Sequence, residues 1–207
     1  MRALRPIFLT IALFLTASAE AEPAVAPSPS PAAENAGASG AEFIRTNCES
    51  TQYPKLCYQS LNGYANVVQQ DPARLAAVAI GVSLARATMM SVYVANLSRQ
   101  AEAEPRATSA LRDCFSVFRD AVGQMRGSVK QMRQLSGAGE ELRFQMSNVQ
   151  TWMSAALTNE DTCTDGFEGV TDAALKADVC GRAVDVKEIT SNALALVNRF
   201  VDKVVVP

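Results

Sequence analysis

Leu111, Phe115, Phe118, Val122, Met125, Val129 and Met132 recur at alternating intervals of four and three residues. That spacing gathers them on one side of an α-helix, and no strand pattern of period two fits it. The same rule returns in Leu142, Met146, Val149, Met153 and Ala156, with Trp152 beside the stripe. It returns again in Val186, Ile189, Ala193, Leu196 or Val197, Phe200 and Val204. A fourth stretch, Leu75 to Leu97, is apolar on most sides, which marks the helix most enclosed by its neighbours. Asp71-Pro72 ahead of it supplies an N-cap and a first-turn proline. Pro105 opens the next helix, and Ser136-Gly137-Ala138-Gly139 breaks the chain between the two after it. Strand signals are nearly missing. The expected fold is all-α, an up-and-down four-helix bundle with mostly short connections.

Leu75 to Leu97 approaches the hydropathy of a membrane span, but Arg86 stands at its middle. A charge there costs about 2.5–3.5 kcal/mol on insertion scales, and Ser83, Thr88, Ser91 and Asn96 add further polarity. The stretch is therefore read as a buried bundle helix. Phe43 to Leu61 holds Cys48, Pro54 and Cys57 and is too broken for a bundle helix. It is expected to fold as two short helical pieces in an N-terminal helical hairpin.

The first residues combine Met1, Arg2 and Arg5 with a short apolar run, Ile7 to Leu15, and small residues at Ala17, Ala19 and Ala21. These are the parts of a secretory signal peptide, assigned to residues 1–21. Residues 22–40 are dominated by Ala, Pro, Ser, Gly and Glu, a composition that buries too little apolar surface to order itself, and are read as a linker. Residues 41–207 then form one domain.

Secretion exposes cysteines to an oxidising route, so disulfides are expected ahead of zinc ligands or catalytic thiols. Eight residues separate Cys48 from Cys57, an interval that a hairpin closes easily. The helices on either side of the turn near Gly137 place Cys114 and Cys163 at nearly the same height, since they lie 23 residues before it and 26 after it and each residue rises about 1.5 Å. Cys180 has no matched partner and is left as a buried or free thiol.

The chain contains no histidine. This removes the usual general base near neutral pH and the commonest metal ligand, so neither a Ser-His-Asp or Cys-His hydrolase nor a His-ligated zinc site can be built. The Glu160-Asp161 and Glu140-Glu141 pairs lack an accompanying nucleophile or pocket signature and read as solvated surface. No phosphate-binding glycine loop occurs, and no cofactor is expected. A net charge of -2 without a Lys/Arg-rich block argues against nucleic acid as a partner. Asn96-Leu97-Ser98 is an N-glycosylation sequon.

Several ordered motifs carry a resemblance. Thr151-Trp152-Met153-Ser154-Ala155-Ala156-Leu157-Thr158 is followed by Asp161-Thr162-Cys163-Thr164-Asp165-Gly166-Phe167. Ahead of these stand Cys48-x8-Cys57 with Tyr53-Pro54-Lys55, and Asp113-Cys114 at a helix start. Thr190-Ser191-Asn192-Ala193-Leu194-Ala195-Leu196 closes the set. Over nearly all of residues 41–207 the chain resembles the plant invertase/pectin methylesterase inhibitor family.

The resemblance implies a four-helix bundle with an N-terminal hairpin, and disulfides joining the first cysteine to the second and the third to the fourth. It also implies a protein without catalytic activity that inhibits pectin methylesterase or acid invertase in the cell wall. The Pro-Lys-Phe element typical of the invertase inhibitors is missing from Glu168 to Val186, which holds Lys176 alone, so the esterase is the expected partner in a one-to-one complex. Carried over by motif, the contacts with the target fall on Asp120, Thr162 and Asp165, while two further acidic positions of the family pattern are occupied here by Ser116 and Gly123. The same module precedes the catalytic domain in some pectin methylesterases, and a chain ending at Pro207 is expected to act alone. Acid invertase is the alternative target. A helical carrier of a small apolar ligand is the reading from another class, and it requires a cavity among the helices.

Overall fold

The computed structural model describes residues 31–100 and 104–205. In chain order these form α1 (Pro31–Cys48), α2 (Pro54–Leu61), a 3-10 turn (Asn62–Tyr64), α3 (Ala65–Val68), α4 (Pro72–Gln100), α5 (Pro105–Arg133), α6 (Glu140–Asp165) and α7 (Ala173–Val205). No strand occurs among the described residues. The leader expected at residues 1–21 lies outside them.

Asp71 caps α4 as its place before Pro72 predicts, its Oδ1 accepting the N–H groups of Ala73 at 2.8 Å and Arg74 at 3.2 Å. Asp172 does the same for α7 through the N–H of Leu175 at 3.0 Å. Each capped bond satisfies a donor that the first helical turn leaves without a partner. At the opposite end, Gly137 takes φ +73°, a conformation costly for residues with a Cβ. The Gln145 side chain brackets that turn, its Oε1 accepting the Ser136 N–H at 3.1 Å and its Nε2 donating to the Ser136 carbonyl at 3.2 Å.

The helices pack in order, α4 on α5, α5 on α6 and α6 on α7, and α7 returns to α4. This closes the expected bundle. Its core is supplied by the stripes read from the sequence: Leu111, Phe118, Val122, Met125 and Met132 meet Met146, Val149, Met153 and Ala156, with Val186, Ala193, Leu196, Val197 and Phe200 opposite. α4 is long and apolar enough to cross a membrane. Here it packs between α5 and α7, burying Leu75, Ala76, Ala79, Ile80, Ala87, Met90 and Val94. Val204 departs from the expected stripe: it is exposed near the end of α7.

The N-terminal lobe differs from two short pieces. Helix α1 begins at Pro31, inside the stretch read as a linker, and a third helical piece, α3, completes the lobe. Ala is the strongest helix former, and Pro is tolerated in a first turn, so Pro31-Ala32-Ala33-Glu34 can start a helix despite a spacer's composition. Gly40 then lets α1 press on α3, because a Cβ there would stand 2.2 Å from the Ala65 carbonyl oxygen. The Cys48–Cys57 disulfide joins α1 to α2, with Cα atoms 5.6 Å apart.

Candidate functional site

Helices α5 and α6 are held as one rigid plate by three links along their length. Cys114 and Cys163 form the second disulfide, Cα to Cα 4.3 Å. Asn159 Nδ2 donates to Gln124 Oε1 at 3.0 Å. The Trp152 ring lies against Gly127, where a Cβ would be 3.3 Å from it. Both disulfides thus match the pairings expected from spacing. Asp113-Cys114, expected at a helix start, instead lies two turns inside α5.

On α6 the outward positions are Phe144, Ser147, Thr151, Ser154, Thr158, Thr162 and Asp165, intervals of three and four that form a hydroxyl-rich stripe. The predicted contact residues Thr162 and Asp165 are both exposed there. Asp120 is exposed on α5, on the flank bounded by Gln124 and Gly127, which face α6. The three residues therefore lie on one composite face, with no direct hydrogen bond among them. Thr162 already donates its hydroxyl proton to the Thr158 carbonyl at 2.9 Å, so an incoming partner meets it as an acceptor. Ser116 and Gly123 occupy the same outer side of α5.

The Glu160-Asp161 pair contradicts its reading as solvated surface. Asp161 is partly exposed and accepts from Lys187 Nζ at 2.6 Å, which raises the Lys187 pKa. Glu160 is 0% exposed. It continues the inward stripe of Met146, Val149, Met153 and Ala156 by one more interval of four, so the helical period buries it whatever its polarity. Burial pushes its carboxyl up to about 8, reinforced by the neighbouring Asp161 charge and opposed by the Thr190 hydroxyl and Lys187. The Thr190 hydroxyl lies 2.9 Å from Glu160 Oε1 and 3.1 Å from the Val186 carbonyl. A neutral Glu160 can donate to Thr190, which donates to Val186, giving each proton one acceptor. Oε2 has no hydrogen-bond partner among the described residues. This group ties α6 to α7 from within.

The connection between α6 and α7 is pinned rather than free. Phe167 and Val170 are buried in it, and Lys176 Nζ donates to the Glu168 carbonyl at 3.0 Å. Cys180 is unpaired and half-buried, its sulfur 3.9 Å from the Thr164 carbonyl. Burial raises its pKa against the pull of Lys176. Asn96 of the sequon is exposed near the end of α4 and accepts from Arg99. Among the described residues no group of three or more Cys, Asp or Glu side chains is placed to hold a metal ion. A groove of about 230 Å³ lies between α4 and α7, lined by Arg86, Met89, Met90, Tyr93, Arg182 and Asp185.

Comparison with known proteins places the chain as a whole. Residues 42–196 match the family model described as plant invertase/pectin methylesterase inhibitor. Pectinesterase inhibitor 11 of Arabidopsis thaliana is 42% identical over 164 residues, covering 78% of this chain and 81% of the relative. A 21 kDa protein of Daucus carota is 41% identical over 173 residues, covering 83% of this chain and 90% of the relative. The crystal structure of a mutant form of a pectin methylesterase inhibitor from Arabidopsis superimposes with a TM-score of 0.61 at 21% identity, over 75% of this chain and 95% of the other.

Proposed function

The chain belongs to the plant invertase/pectin methylesterase inhibitor family, and from that premise we propose that it is a secreted, cell-wall inhibitor of pectin methylesterase that works by occupying the enzyme's substrate cleft. The observation that carries the reading is the locked α5/α6 plate, which presents Asp120, Thr162 and Asp165 to solvent beside the Cys114–Cys163 bridge. Two helices fixed by a disulfide lose little conformational freedom on docking, so their contacts convert efficiently into affinity.

The mechanism needs no chemistry from this chain. The plate fills the groove that would hold the pectin chain, and the methyl ester cannot reach the esterase's reacting groups. Asp120 and Asp165 supply charge-assisted acceptors for donors along the cleft, and Thr162 supplies a neutral one. Such contacts set specificity and association rate as much as affinity.

Support for the esterase over the invertase comes from two directions. Relatives about 40% identical over most of the chain are named pectinesterase inhibitors. Lys176, the sole lysine between Glu168 and Val186 where invertase inhibitors carry their tripeptide, sits in the first turn of α7 and is tied back to the Glu168 carbonyl. The test is a parallel titration of a purified plant pectin methylesterase and a cell-wall acid invertase with the oxidised protein. Loss of esterase activity alone is expected. Loss of invertase activity alone would move the target and leave the fold untouched.

A further inference from the structure

Arg112, Arg119, Arg126 and Arg133 stand seven residues apart along α5, and all four are exposed. Seven residues are about 10.5 Å of helix, so the guanidinium groups form one stripe roughly 31 Å long. It drifts by only about 20° per interval. Lys130 falls on the same stripe. None of these five side chains makes a salt bridge with a described residue; ion pairs between described residues lie elsewhere, at Arg45, Arg74, Arg182 and Lys187.

On the α4 side no acidic neighbour stands among the described residues. Helix α4, which flanks the stripe, carries Arg74, Arg86 and Arg99 and no carboxylate at all. The carboxylates of α5, Asp113 and Asp120, lie about 100° further round the helix, on the flank toward α6. At the C-terminal end of the stripe, Arg126, Lys130 and Arg133 border a shallow groove with Leu84 and Val129 as its apolar floor. A chain whose net charge is -2 thus keeps a continuous cationic track on one side.

We propose that this track binds the de-esterified, carboxylate-bearing form of pectin, holding the protein on polymer that the esterase has already processed. The track matches a linear polyanion: four regularly spaced planar cations with no enclosing pocket suit a long ligand that touches all of them. A guanidinium also pairs with a carboxylate through two parallel bonds. Each exposed contact is weak and salt-screened, and affinity comes from engaging several at once. Hydrolysis of a pectin methyl ester by water yields methanol and a carboxylate, so the product chain carries the required charge and the fully esterified chain does not. The identity of the polymer rests on the esterase-inhibitor reading; the cationic track does not. It runs on the α4 side of α5, with Ser116 and Gly123 between it and the Asp120 flank.

The experiment is affinity electrophoresis of the oxidised protein through gels containing polygalacturonate or fully methylesterified pectin, with no esterase present. Polygalacturonate is expected to retard the protein, methylesterified pectin is not, and raising NaCl from low to physiological strength should weaken retention about tenfold or more. The triple variant Arg119→Gln, Arg126→Gln, Arg133→Gln should lose about tenfold or more in affinity with an unchanged Tm. Its counterpart with Lys at the three positions should keep most of the binding and show that charge is the cause. Equal retention by both polymers, no retention by polygalacturonate, full retention by the glutamine variant, or preferential retention by DNA of equal charge concentration would each overturn the proposal. Esterase inhibition is scored separately, so a protein that binds polygalacturonate and fails to inhibit would sink the inhibitor reading alone.

Discussion

Asn192 pairs with the backbone of Tyr53 in both directions, its Oδ1 accepting the Tyr53 N–H and its Nδ2 donating to the Tyr53 carbonyl, each at 3.0 Å. A side chain on α7 thereby fixes the turn between α1 and α2, 139 residues away in the chain. Its neighbours have parallel tasks: Ser191 donates to Gln52 at 3.2 Å, and Thr190 meets Glu160. The closing motif Thr190-Ser191-Asn192 therefore fastens the hairpin and the core, and it makes no part of the α5/α6 plate.

Replacing Asn192 with Ala should cost about 1–3 kcal/mol, because both Tyr53 backbone groups lose their partner in a largely buried place. Hydrogen exchange is the measurement. Protection should fall across residues 49–61 first, while esterase inhibition by the folded protein stays unchanged well below the Tm.

The two disulfides should differ in worth. Closing a loop of 49 residues constrains the unfolded chain more than closing one of 9, by about 4 against about 2.6 kcal/mol in the chain-entropy model. Denaturant unfolding of Cys114→Ser/Cys163→Ser and Cys48→Ser/Cys57→Ser variants checks the order. Only the first should also loosen the α5/α6 plate and weaken inhibition.

Glu160 makes stability depend on pH in a stated direction. Its folded pKa, about 8, lies above the ordinary carboxyl value of about 4.3, so the folded protein binds the extra proton. That contribution is complete below the unfolded pKa and is lost as pH rises toward the folded one, by up to about 1.4 kcal/mol per pH unit. For a chain of this size, Tm should fall by roughly 3–5 °C per pH unit at the steepest part. Glu160→Gln mimics the neutral acid, keeps the link to Thr190 and should flatten the profile. A wild-type Tm that is level between pH 5 and pH 8 would contradict the assignment.

On the α5/α6 plate, Asp120→Asn, Thr162→Ala and Asp165→Asn should each weaken inhibition of the esterase, by about tenfold for the carboxylates and less for the hydroxyl. All three are exposed, so Tm should move by little. Adding salt should shrink the two Asp effects and spare the Thr162 effect.

The bundle was legible because each helix writes its inward face in intervals of three and four, from Leu111 to Met132 and from Met146 to Ala156. The same rule extends to Glu160, but a carboxylate breaks an apolar stripe on paper, and its partner Thr190 sits 30 residues further on. The start of α1 was hidden by a composition that suits a spacer as well as a helix; what decides is the contact of Gly40 with Ala65, which only the folded lobe supplies. The arginine track is not legible in the sequence because seven-residue spacing leaves no run of charge. Asp120, Thr162 and Asp165 were reached through family resemblance alone, since periodicity marks a residue as outward-facing and says nothing of what will meet it.

Steady-state kinetics of pectin methylesterase at several pectin concentrations, with and without the oxidised protein, distinguish occupation of the substrate cleft from inhibition elsewhere. A plate that occupies the substrate cleft raises the apparent KM in proportion to inhibitor and leaves kcat unchanged, and Asp120→Asn should lessen that rise. A fall in kcat at constant KM, or full activity with the protein in excess, would contradict it.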